Sequence, residues 1–104
     1  MRFIYESNLE QELQEQNKTI SELTEELINI FDEVGFERRV TINGINFSIK
    51  KYDVYASFYV DSKLNYKGYV TKDSENSFNY QVKGNIDNVI DAADNLIDTF
   101  YENT

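Results

Sequence analysis

The sequence predicts an α+β fold: a long N-terminal helix, an antiparallel sheet of four or five strands and a C-terminal helix, with both helices packed on one sheet face. Three observations predict it. Apolar residues recur at helical spacing from Leu9 to Val34, the period falls to two between Arg38 and Lys83, and helical spacing returns from Ile86 to Glu102. A chain of 104 residues has room for one modest core, so 1–104 is expected to form a single domain.

The first helix is expected from about Asn8 to about Val34. Ser7 is placed to cap it, Glu10 to complete a capping box, and Gly35 to stop it. Leu9, Leu13, Gln16, Ile20, Leu23, Leu27, Ile30 and Val34 alternate at spacings of four and three. Such a seam either packs the helix on the sheet or pairs it with a second copy. Length favours some projection, because a helix of about 27 residues spans roughly 40 Å whereas a six-residue strand spans about 20 Å. Gln11, Gln14, Gln16 and Asn17 dilute the apolar face of its first half. A homodimer through this helix is therefore one expectation.

Beyond Arg38 the chain alternates. Val40 and Ile42 lead into Asn43-Gly44, and Ile45, Phe47 and Ile49 lead out, the pattern of a hairpin whose turn residues tolerate positive φ. Val54, Ala56, Phe58 and Val60 have the opposite parity, so a turn or bulge near Lys51-Tyr52-Asp53 must bring both sets to one face. Leu64 to Lys72 and Ser77 to Lys83 supply two further strands, joined by a polar loop, and Gly84-Asn85 ends the sheet.

In the second helix Ile86, Val89, Ile90, Ala93, Leu96, Ile97, Phe100 and Tyr101 share one arc. Asp87, Asp91, Asp94, Asp98 and Glu102 form a stripe beside it. Like charges at these spacings each cost a few tenths of a kcal/mol, and Asp87 alone stands where a helix dipole would favour it. The stripe works against the helix that carries it.

Charge is sorted in the same way as structure. Residues 1–37 carry −8, residues 38–84 carry +4 and residues 85–104 carry −5, giving the net −9. Histidine and cysteine are absent, which removes the usual general base, the thiolate nucleophile, disulfides and the commonest metal ligands. No glycine-rich phosphate loop, calcium loop or buried carboxylate pair is evident. The expectation is a protein that is not an enzyme and uses no cofactor or metal. With no apolar run long enough for a membrane span or signal peptide, it is read as cytoplasmic. Proline is missing, while Asn, Lys, Ile and Tyr are frequent, a bias of AT-rich genomes and their phages and mobile elements.

Two surfaces remain as candidate sites. The first is acidic: Glu15, Glu22, Glu26 and Glu33 on the first helix, with Asp87, Asp91, Asp94, Asp98 and Glu102 on the second. Successive carboxylates on one helix face stand about 5–6 Å apart, comparable with neighbouring phosphates, so the ridge suits a groove of Lys and Arg built for nucleic acid. The second is the sheet face opposite the core, where Arg39, Lys50, Tyr55, Tyr59, Lys67, Tyr69 and Lys83 alternate outward. Tyr among Lys and Arg suits single-stranded nucleic acid or an adaptor contact. In size, charge, compositional bias and acidic ridge the chain resembles the small anti-CRISPR and anti-restriction inhibitors of phages and mobile elements, with no shared motif. That resemblance implies a DNA-mimicking inhibitor of a basic, nucleic-acid-handling host protein such as a CRISPR nuclease. An immunity protein neutralising a basic toxin would use the same electrostatics.

Overall fold

The first helix stops where the sequence supplies a glycine. The computed structural model describes residues 20–73 and 78–104, and α1 covers 20–33 within it. Gly35 takes φ +86°, a region that L side chains enter only under strain. Its amide donates to the Asp32 carbonyl at 3.2 Å and the Phe36 amide donates to the Phe31 carbonyl at 3.0 Å, the two bonds of a Schellman cap. Phe36 closes on Phe31 with ring centroids 4.9 Å apart, which adds the apolar contact that usually accompanies this cap. Ser7, Glu10, Leu9, Leu13, Glu15, Gln16 and the half-helix expected to project lie outside the described residues.

Five strands follow: β1 (Glu37–Val40), β2 (Gly44–Lys51), β3 (Val54–Asp61), β4 (Tyr66–Lys72) and β5 (Phe78–Gly84). They form one antiparallel sheet in sequence order. A 3₁₀ turn over Ile86–Asn88 leads into α2 (Val89–Glu102). The expected architecture is thus present, with five strands.

The first hairpin differs from expectation in its turn. Val40 pairs with Ile45, and the Thr41 amide donates to the Gly44 carbonyl at 2.8 Å. Ile42 and Asn43 therefore occupy the loop, not Asn43 and Gly44. None of these residues has positive φ. The Thr41 hydroxyl replaces the expected turn chemistry by accepting from the amides of Asn43 at 3.3 Å and Gly44 at 3.2 Å. Gly44 is needed for a different reason: a Cβ there would run into the Val60 carbonyl of β3. Val40 and Ile42, which alternate with the apolar positions, stay 69% and 100% exposed at the tip.

Tyr52-Asp53 forms the parity-restoring turn between the Lys51 and Val54 partners. Tyr52 adopts φ 58° at its first position. Leu64 also departs from expectation, belonging to the turn before β4 and not to the strand. It holds φ 63° while its side chain is buried, so burial offsets the cost of a left-handed backbone. Asp61 closes that turn by accepting from the amides of Lys63 and Asn65, each at 2.9 Å, and from the Asn65 side chain at 3.0 Å.

Cross-strand register places Phe47, Phe58, Gly68 and Val82 in one row of the core-facing side. Phe31 stacks on Phe47 with centroids 4.4 Å apart and reaches Phe58 at 5.3 Å. Leu27 and Phe31 are fully buried, whereas Ile20, Leu23, Ile30 and Val34 only flank the core. The centre of α1 is therefore Phe31, outside the seam read from spacing, because a 3.5-residue repeat drifts about 20° per heptad around a 3.6-residue helix. From α2, Val89, Ala92, Ala93, Leu96, Ile97 and Phe100 are buried. Leu96 lies over Gly68, where a Cβ would come within 2.7 Å of its Cδ1.

Candidate functional site

The packing just described leaves an acidic helical face and an open sheet face of mixed charge. Helices α1 and α2 cover one side of the sheet, and their outward surfaces carry no Lys or Arg among the described residues. Glu22, Glu26 and Glu33 are exposed on α1, and Asp91, Asp94, Asp98 and Glu102 on α2. Glu15 lies outside the described residues.

The α2 stripe is shorter than its sequence spacing implies. Asp87 sits on the separate 3₁₀ turn, where its amide is capped by the Asn85 side-chain oxygen at 3.0 Å. Asn88, with φ −131° and ψ 21°, breaks the helix between Asp87 and the other four acids. Asp91 is consequently the acid in the first turn of α2 and the one its dipole favours, a correction to the place expected for Asp87. Asp91, Asp94, Asp98 and Glu102 continue the ridge over about 16 Å of helix. Among the described residues Asp91, Asp94, Asp98 and Glu102 form no ion pair, whereas Asp32 on α1 is joined to Arg38 at 3.4 Å. Asp94, exposed as it is, is held above the ordinary carboxylate value by partial desolvation and, secondarily, by Asp98 and Asp91. No three described carboxylates converge closely enough to hold a metal ion, and no described helix is long and apolar enough to cross a membrane.

The open sheet face carries the residues that alternation assigns to it. One row crosses all five strands in register: Arg39, Asn46, Tyr59, Lys67 and Lys83. A second row holds Glu37, Ser48, Ser57, Tyr69 and Gln81. Lys50, Tyr55, Thr71 and Asn79 make a third. Tyr69 meets Tyr55 with centroids 5.8 Å apart, and Lys67 Nζ lies 5.8 Å from the Tyr59 ring centre. Tyr59, Tyr69, Lys67, Lys83, Asn46 and Gln81 surround an open cleft of about 850 Å³. Ser57, also lining it, is buried and donates to the Asn46 side-chain oxygen at 3.1 Å. Sequence reading passed over Ser57 because a lone serine between Tyr55 and Tyr59 carries no chemical signal, although its parity placed it on this face.

The two candidate surfaces therefore lie on opposite sides of the sheet and do not form one site. The chain matches no protein-family model, no curated protein and no solved structure.

Proposed function

We propose that this protein is a non-enzymatic inhibitor that lays its acidic helical face into the phosphate-binding groove of a basic, nucleic-acid-handling protein. The observation that carries this reading is the unneutralised row Asp91, Asp94, Asp98 and Glu102 on α2. Its mutual repulsion brings the helix no benefit, whereas a groove of Lys and Arg would relieve it and gain the steering that nucleic acid gains. The compositional likeness to phage and mobile-element inhibitors points to a CRISPR or restriction nuclease as the class of target. A basic toxin met by an immunity protein would present the same groove.

The test is inhibition of DNA binding across purified CRISPR and restriction nucleases, with wild type and the Asp91→Asn/Asp94→Asn/Asp98→Asn variant. Asparagine nearly preserves side-chain shape, so the variant should stay folded. At least one nuclease should be blocked at one-to-one stoichiometry. The variant should bind it at least about tenfold more weakly, roughly 1.4 kcal/mol, with most of the loss in association rate. Inhibition that survives the triple substitution with unchanged salt dependence would remove the mimicry mechanism. Turnover at substoichiometric protein would remove the non-enzymatic reading.

A further inference from the structure

We propose that the open face of the sheet is a binding site for single-stranded nucleic acid, independent of the acidic helical face. The row Arg39, Asn46, Tyr59, Lys67 and Lys83 sets three cations across five strands with no carboxylate between them. Lys67 and Lys83 are direct cross-strand partners, an arrangement that like charges make unfavourable in a free sheet. An anion seated over the row reverses that sign.

The aromatic residues select which anion. Tyr59 and Tyr69 stand diagonally on β3 and β4, and Tyr69 continues to Tyr55 at 5.8 Å. Tyr69 and Tyr55 are 38% and 36% exposed on a face otherwise made of polar side chains, so their rings are offered to solvent rather than to the core. Bases stack on such rings while phosphates follow the flanking cations, and amides such as Asn46 and Gln81 can hydrogen-bond base edges. An acidic protein segment would neutralise the lysines but leave the rings unused.

Dimensions agree. Four inter-strand steps from β1 to β5 span roughly 19 Å, enough for a short run of nucleotides. Duplex DNA is a poor fit, because its bases are stacked inside and the open face offers no helix or ribbon for a groove. Four carboxylates share this side without entering the row: Glu37 is on the edge strand, Asp61 is bonded into its own turn beside Tyr59, Lys67 and Lys83, and Asp53 and Asp73 lie at the other end of the face beside Lys50, Tyr55 and Tyr69. The acidic helices lie beyond the sheet, and the Debye length at physiological salt is about 8 Å. Their repulsion is thus screened more strongly than the direct contacts.

The experiment is fluorescence anisotropy of labelled oligothymidylate and oligouridylate, about twelve nucleotides long, with the intact chain. Binding is expected at low salt, weakening as salt rises. Lys67→Gln/Lys83→Gln should lower affinity at least tenfold and reduce the slope of log affinity against log salt by about 1.4, the value for two lost phosphate contacts on a single strand. Tyr69→Ser should weaken binding at least fivefold without changing that slope. The Asp91→Asn/Asp94→Asn/Asp98→Asn variant should bind the oligonucleotide at least as well as wild type, which separates this site from the helical ridge. Circular dichroism confirms that each variant is folded. Absence of binding at low salt, or binding indifferent to Lys67, Lys83 and Tyr69, overturns the proposal. Equal binding of a duplex of the same length also overturns it. Self-association abolished by Lys67→Gln/Lys83→Gln, with no oligonucleotide bound, would assign the face to a second copy instead.

Discussion

The Tyr101 hydroxyl donates to the Val34 carbonyl across a separation of 67 residues. That carbonyl is one of the groups a helix leaves unpaired at its C-terminal end, and here the last turn of α2 satisfies it. The bond joins the ends of the two helices beside the contact between Phe36 and Phe100, whose centroids are 5.8 Å apart. The Tyr101 ring lies 5.8 Å from Lys51 Nζ, so Tyr101 links both helices with β2.

Tyr101→Phe removes this bond and keeps the ring. Because the hydroxyl is accessible and water can replace it at the carbonyl, the expected loss is about 1 kcal/mol. Urea denaturation measures it as a lower midpoint with an unchanged slope. No change in midpoint would mean that the contact adds nothing net.

Phe31 and Ile30 are neighbours with different burdens. Phe31→Ala empties the space between Phe47 and Phe58 and should cost about 3–5 kcal/mol, whereas Ile30→Ala, at a half-buried position, should cost about 1 kcal/mol. Comparable losses in urea would show that the 3.5-residue seam, and not the Phe31 face, meets the sheet.

Asp61 and Asp94 should respond to acid in opposite directions. The Asn65 side chain first, and then the Asn65 and Lys63 amides, hold Asp61 below the ordinary value against the effect of its partial burial. Its stabilising contribution is present above the unfolded value of about 3.9 and is lost as pH falls through the lower folded value. Asp61→Asn should therefore cost about 1 kcal/mol at neutral pH, with the difference closing in acid. Asp94 is held above the ordinary value by desolvation and by its acidic neighbours. The folded state then takes up its proton first, so stability rises as pH falls through that value. Asp94→Asn should stabilise by a few tenths of a kcal/mol at neutral pH and lose that advantage below about pH 3.9. Paired urea curves at neutral and acid pH check both signs, and a common direction would contradict the assignment.

Periodicity carried most of the architecture, because alternation and helical spacing each follow directly from which side of an element is buried. Turns were harder to read. Asn43-Gly44 fits a primed turn by residue type, yet the Thr41 hydroxyl and the nearby Val60 carbonyl decide the local geometry, and the latter contact arises only once β3 is in place. Leu64 likewise reads as strand by hydropathy, and only the packed core reveals why a buried leucine accepts a left-handed turn. The outward set Arg39, Tyr59, Lys67 and Lys83 was legible from parity alone. Its alignment into a single row was not, since register depends on loop lengths that the turns determine. The break at Asn88, which detaches Asp87 from the ridge, left no mark in the spacing.

Among the described residues, acids concentrated on the helical side against an open side where cations and acids are mixed give an electric dipole along the sheet normal, superimposed on the net charge of −9. Net charge alone draws a cationic body toward any side. A dipole also exerts a torque, turning the helices toward a positive surface and the sheet toward a negative one before contact. Orientation at encounter is thus biased at a distance, and added salt weakens that bias by shortening the range over which the torque acts.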